Sequence, residues 1–138
     1  MLRYWTLWNY TFFMFSKYIP YKNAIKASII TTSLIGGYVI NIYPMYLPLY
    51  CFNYKIKLPR YIVLLSDMFF HHIPLLYLLT NPHKFNDDKS PFYITVPVSL
   101  WYLINKYRKI DVNKIYNIHF KYIFSTTFLI TTIVNGIR

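Results

Sequence analysis

Neither glutamate nor glutamine occurs in the 138 residues, and the acidic side chains are four aspartates, Asp67, Asp87, Asp88 and Asp111. Charged residues make up 14% of the chain, where a soluble domain carries about 25%, so ionised groups can cover little of the surface. The single cysteine, Cys51, excludes an internal disulfide framework and any multi-cysteine metal site within one chain. It reads as a small apolar residue near an interface. There is no Gly-rich phosphate loop and no His-Glu-x-x-His pattern, so neither nucleotide nor zinc-protease chemistry has its usual motif. The lone sequon, Asn9-Tyr10-Thr11, lies inside an apolar stretch and is a poor glycosylation site.

What fills the chain instead is apolar and aromatic: 56% hydrophobic, 22% aromatic, 16 Tyr, 11 Phe and 19 Ile, with a mean hydropathy of +0.29. The length suits one domain. In water such a domain would leave a wide aromatic surface exposed, whereas a bilayer accepts that surface. The expected fold is therefore all-α: an integral membrane helical bundle of four to five transmembrane helices, in a single domain spanning 1–138, with helices over about 4–19, 24–50, 60–80, 91–106 and 112–135. The abundance of Ile, Asn, Lys, Tyr and Phe, all with AT-rich codons, points to an AT-rich genome and carries no chemical information.

The first segment is short and rich in Trp and Tyr, side chains favoured at a membrane interface, and it is left open whether it spans. In the second, Ala24, Ser28, Thr32 and Gly36 recur every four residues. Small residues on one stripe let a neighbouring backbone approach closely, which makes this the expected helix-packing face. Pro44 and Pro48 predict that its far end is kinked or unwound. The stretch Lys55-Ile56-Lys57-Leu58-Pro59-Arg60 reads as a basic loop, with Pro59 suited to opening the third helix. Ser90-Pro91 reads as the N-cap and first turn of the fourth. Asp111 reads as the N-cap of the last helix and Gly136 as its terminator.

If all five segments cross, Arg3, Lys55, Lys57, Arg60, Lys106, Arg108, Lys109 and Lys114 share one side, against Lys17, Lys22, Lys26, Lys84, Lys89 and Arg138 on the other. Eight against six places the N-terminus inside by the positive-inside rule. The net charge of +11 is spread over short loops with no long basic arm. Anionic lipid headgroups at Lys55, Lys57, Arg60, Lys106, Arg108 and Lys109 are thus the expected partner, rather than nucleic acid.

The sharpest chemical feature is Asp67-Met68-Phe69-Phe70-His71-His72-Ile73-Pro74, in the middle of the third helix. Asp67 and His71 are four apart and share a helix face. Pro74 falls near the same stripe and frees the carbonyl of Phe70, while His72 is expected to point about 100° away from His71, toward a different partner. An aspartate at mid-membrane costs on the order of 2.5–3.5 kcal/mol and usually faces the bundle interior. Three readings are open: a structural unit of Asp67, His71 and Pro74 that pins neighbouring helices; a proton or ion pathway; and an enzyme site in which Asp67, His71 and His72 act on a lipid or hold a metal. No second intramembrane carboxylate continues a relay, and no catalytic set is complete. No metal site and no cofactor are therefore expected.

The segment Asp-x3-His-His-x-Pro-Leu-Leu, flanked by Tyr/Ile/Asn-rich helices, resembles small multi-span membrane proteins of large AT-rich DNA viruses, some of which sit in the virion's internal membrane. The resemblance covers one helix and the coding bias. It implies a structural component of a virion membrane in contact with capsid proteins, and brings no catalytic residues with it. The same composition also permits an accessory subunit of an organellar inner-membrane complex.

Overall fold

The computed structural model describes residues 5–42, 46–51, 54–115 and 119–137. Its helices are α1 (Trp5–Met14), α2 (Lys22–Ile42), α3 (Arg60–Asp67), α4 (Ile73–Thr80), α5 (Thr95–Tyr107), α6 (Val112–Ile115) and α7 (Phe120–Ile137). A π-helical turn, Met68–His72, joins α3 to α4 into one rod, and 3-10 turns stand at Pro82–Phe85 and Pro91–Ile94. The fold is a helical bundle, with one antiparallel hairpin, β1 (Tyr46–Cys51) and β2 (Tyr54–Pro59), that pairs Tyr46 with Pro59 and Cys51 with Tyr54.

Three of the expected helices end elsewhere. The first stops at Met14, because the chain turns through Phe15–Tyr18 ahead of Pro20. Its ten described residues rise about 15 Å, half a bilayer core. The helix expected over 24–50 ends at Ile42, and the part containing Pro48 becomes β1. Proline removes a donor from a helix interior, but it is tolerated in a strand that needs no bond on that side. The expected loop at 55–60 is β2. The helix expected over 112–135 is divided into α6 and α7. Asp111 Oδ1 accepts from the Asn113 N–H at 3.1 Å and so caps α6. The start of α7 is capped separately: Asn113 Oδ1 accepts from the Phe120 N–H at 2.8 Å, and His119 Nδ1 accepts from the Lys121 N–H at 3.2 Å. Gly136 lies inside α7 and does not end it.

Other ends follow local chemistry. Ser90 Oγ accepts from the Phe92 N–H at 3.3 Å, and Pro97 falls in the first turn of α5, where a missing N–H leaves no bond unmade. At the far end of α5, Lys109 takes a left-handed φ of 57°. The Ile110 N–H then reaches the Asn105 carbonyl and the Lys109 N–H that of Lys106, closing the helix in a Schellman motif without glycine. The start of α2 is capped from a distance: Asp87 accepts from the backbone N–H of Lys22 at 2.5 Å and of Asn23 at 3.3 Å. Buried Asn23 donates from Nδ2 to Asp87 Oδ1 and to the carbonyls of Asp87 and Lys89. The loop at 81–90 is thereby tied to the first turn of α2.

Two hydrophobic clusters hold the bundle. One gathers Trp5, Ala24, Ile94, Val98, Trp101 and Ile123, the other Ile25, Ile29, Leu78 and Phe85. Trp5 and Trp101 meet with ring centroids 5.9 Å apart, and each is followed four residues on by a buried asparagine, Asn9 or Asn105, that donates to its carbonyl. Much of the rest of the interior is also polar: Asn23, Ser28, Thr31, Thr32, Asp67, Thr127 and Thr131 are buried. Several hydroxyls bond within their own helix, as Thr32 to Ser28, Thr127 to Ile123 and Thr131 to Thr127, so they require nothing from solvent. The outside is the reverse. Leu65, Leu76, Leu79, Val96, Leu103, Leu129 and Ile137 are all more than half exposed. Among the described residues one helix, Phe120–Ile137, is long and apolar enough to cross a membrane, and only 22% of it is buried.

Candidate functional site: a carboxylate between two imidazoles

Pro74 sets the local geometry of the third rod. In a regular helix its ring would clash with the carbonyl four residues back, that of Phe70, and it offers no N–H. The turn ahead of it is widened instead, and the Ile73 N–H bonds to the Met68 carbonyl five residues back. A turn that closes on the fifth residue rather than the fourth places residue i between i+4 and i+5. Asp67 accordingly faces both histidines: Oδ1 lies 2.6 Å from His71 Nδ1 and Oδ2 lies 3.0 Å from His72 Nδ1. The expectation that His72 takes a partner elsewhere is therefore corrected, because it assumed 3.6 residues per turn where the chain is π-helical.

The two imidazoles differ in setting. The His71 side chain is 12% exposed and that of His72 65%, with the Asp67 side chain at 8%. His71 is enclosed by two other helices. From α1, Thr6 Oγ1 stands 3.5 Å from His71 Nε2, and one turn on Tyr10 packs against Phe69 and Phe70, with ring centroids at 5.2 and 5.1 Å. From α2, Ser33 Oγ donates to the His71 carbonyl at 3.1 Å and shares its proton with the Ile29 carbonyl at 2.9 Å. Gly36 touches the His71 ring so closely that a Cβ there would stand 2.5 Å from Nδ1. The stripe Ala24, Ser28, Thr32 and Gly36 is buried throughout. Its last member is the floor on which His71 rests.

If the neutral His71 ring donates from Nδ1 to Asp67, Nε2 is left as an acceptor facing the Thr6 hydroxyl. Carboxylate, imidazole and hydroxyl then stand in the order of a hydrolase triad. The remainder of such a site is not built around them. The cavity beside His71, bounded by Asn9, Thr32 and Pro74 among others, has a volume of about 10 Å³, room for about one water molecule and for no substrate. Among the described residues no group of three or more His, Cys, Asp or Glu is arranged to hold a metal ion. What the arrangement does physically is hold three helices at one point, with a buried carboxylate and both its neighbours satisfied.

The chain matches no protein-family model, no curated protein and no solved structure.

The remaining expected site residues lie apart from this junction. Lys106, Arg108 and Lys109 are exposed together where α5 ends, and Lys106 Nζ lies 6.0 Å from the centre of the Tyr102 ring. The backbones of Lys55, Lys57 and Arg60 belong to β2 and the start of α3, and their side chains lie outside the described residues. Sequence reasoning missed Thr6, Ser33 and the contact between Asp67 and His72. The only available signal for the last was Pro74, whose position demands a local widening of the helix. Thr6 and Ser33 are brought in by packing between helices and leave no local trace.

Proposed function

We propose that the chain is a multi-pass membrane protein that acts as a structural component of a larger membrane-associated assembly. The observation that carries this reading is the exterior: large aliphatic and aromatic side chains stand exposed, while asparagine, serine, threonine and aspartate share the interior with the two apolar clusters. In water that surface would be a liability for aggregation, while in hydrocarbon it costs nothing, and several interior hydroxyls and amides bond within their own helices and need no water. The low burial of α7 favours a lipid-facing helix over the core helix of a soluble domain. The enclosure of His71 by Gly36, Ser33 and Thr6 favours a structural role for Asp67 over a pathway or an active site.

The setting favoured by the coding bias and by the resemblance at 67–76 is a virion's internal membrane, with capsid proteins and anionic lipids as neighbours. Isolation from native membranes in mild detergent tests the proposal. A structural component is recovered in fixed stoichiometry with other proteins, and their identity separates a capsid assembly from an organellar complex. A free monomer that turns over lipid would overturn the structural reading in favour of an enzyme built on Asp67, His71 and His72.

A further inference from the structure

A cleft of about 550 Å³ opens between α2 and α7, and neither Asp67 nor its two histidine neighbours line it. The turn at Pro91–Ile94 fixes how the two helices are aligned: Tyr93 meets Tyr21, just before α2, at 4.8 Å between ring centres, and Phe92 meets Phe128 of α7 at 5.5 Å. These contacts set the start of α2 beside the middle of α7, while the cleft brings Tyr38, near the end of α2, together with His119 and Tyr122 at the start of α7, so the helices run antiparallel. One end of the cleft is lined by these three, the rest by Leu34, Ile35, Ile123 and Thr126. It is thus polar at one end and mainly apolar along its floor, where Thr126 is the one hydroxyl.

The polar end offers donors and no carboxylate, since none of the four aspartates lines the cleft. His119 Nδ1 accepts from the Lys121 N–H, so the neutral ring carries its proton on Nε2 and presents a donor there. Tyr38 and Tyr122 add hydroxyls. Lys121 does not line the cleft, but its Nζ lies 5.0 Å from the centre of the Tyr122 ring that does, which sets an amine beside the same end. A cleft of this size suits a ligand of modest size, and an unfilled one would forfeit the dispersion contacts of its apolar walls. We infer that the cleft between α2 and α7 binds one anionic phospholipid, its phosphate at His119, Tyr122 and Lys121 and one acyl chain along Leu34, Ile35 and Ile123. The inference rests on the membrane reading above.

The test has two stages that separate the two claims. Flotation with phosphatidylcholine vesicles checks membrane association first, and a protein that stays at the bottom of the gradient overturns both. The detergent-purified protein is then mixed with equal amounts of phosphatidylglycerol and phosphatidylcholine and examined by native mass spectrometry. The wild type is expected to retain one phosphatidylglycerol in roughly fivefold preference, the factor one lysine supplies toward a net-anionic headgroup over the zwitterionic one, whose choline cancels the phosphate charge. Lys121→Gln brings the preference to near parity with an unchanged circular dichroism spectrum, Leu34→Trp lowers retention of both lipids, and Lys84→Gln, a charge-matched change elsewhere, has no effect. A protein that floats but holds the two lipids equally, or one whose preference survives Lys121→Gln or is lost equally in Lys84→Gln, overturns the lipid site and leaves the membrane reading standing.

Discussion

A carboxylate held between two imidazoles has few substitutes. In Asp67→Asn the amide oxygen can accept from one ring and the NH₂ donate to the other, so both contacts survive in altered polarity, and the loss of stability should stay below about 1 kcal/mol. In Asp67→Leu the enclosed His71 ring loses its partner, which costs about 1–3 kcal/mol. Thermal unfolding followed by circular dichroism in mild detergent distinguishes the two, and equal stability of the leucine variant would remove the structural role. Loss of function in Asp67→Asn with normal assembly would point instead to proton chemistry. The adjacent glycines of α2 give a second comparison. A Cβ on Gly36 meets the His71 ring at 2.5 Å, whereas one on Gly37 meets nothing within 4 Å. Gly36→Ala should therefore destabilise by about 1–3 kcal/mol through overpacking, and Gly37→Ala should stabilise by about 0.5–1 kcal/mol, the usual gain on removing a helical glycine. Unfolding midpoints of opposite sign relative to wild type are the expected result.

The elements depend on caps that reach across the chain as well as along it. Asp87 holds the first turn of α2 from 64 and 65 residues away, so Asp87→Ala should cost about 1–2 kcal/mol, as loss of an N-cap does, and should loosen the loop at 81–90 together with α2. Amide exchange that speeds up in both segments at once is the measurement, and acceleration confined to the loop would contradict it. The same contrast explains what could be read from the sequence. The helical class and the capping side chains of Ser90 and Asp111 are legible because they rest on composition and on residues two positions apart, although Asp111 caps α6 and not the last helix. The hairpin carries a local signal in the alternation of Tyr54, Ile56 and Leu58 with Lys55 and Lys57, a two-residue period that the reading of 55–60 as a basic loop does not use. The division between α6 and α7 had none, since it turns on the Asn113 side chain bonding a backbone group seven residues on. Within the candidate site, Asp67 and His71 were legible as a four-residue pair, while His72, Thr6 and Ser33 required the π turn and the packing of three helices.

For the molecule as a whole, α2 acts as the ruler. Its 21 residues rise about 32 Å, close to the thickness of a bilayer's hydrocarbon core. The loop containing Asn86 is fastened to its first turns, and the hairpin follows its last residue in the chain. If α2 crosses the membrane, as the proposed multi-pass arrangement requires, the two lie at opposite faces. Single cysteines introduced at 57 and 109 in a background with Cys51→Ser should then be labelled by an impermeant reagent from one side of sealed vesicles, and a cysteine at 86 from the other. Equal labelling of all three from one side would refute the multi-span arrangement.

Between Arg60 and Thr80 the rod holds one residue more than a regular helix needs to keep its two ends in phase, and that surplus is lodged in Met68–His72. Removing a residue there need not disturb the ends. A chain lacking Met68, an exposed position, could close the turn regularly with Leu78 still facing its cluster, leaving His72 four residues from position 67 and His71 only three. The regular turn would then press the Pro74 ring against a backbone carbonyl, at a cost of about 3 kcal/mol. Deletion alone should be damaging, and deletion combined with Pro74→Ala should restore most of the lost stability. The proline and the supernumerary residue are thus a matched pair, each tolerable because the other is present, and the double-histidine clasp on Asp67 is the by-product of their compensation.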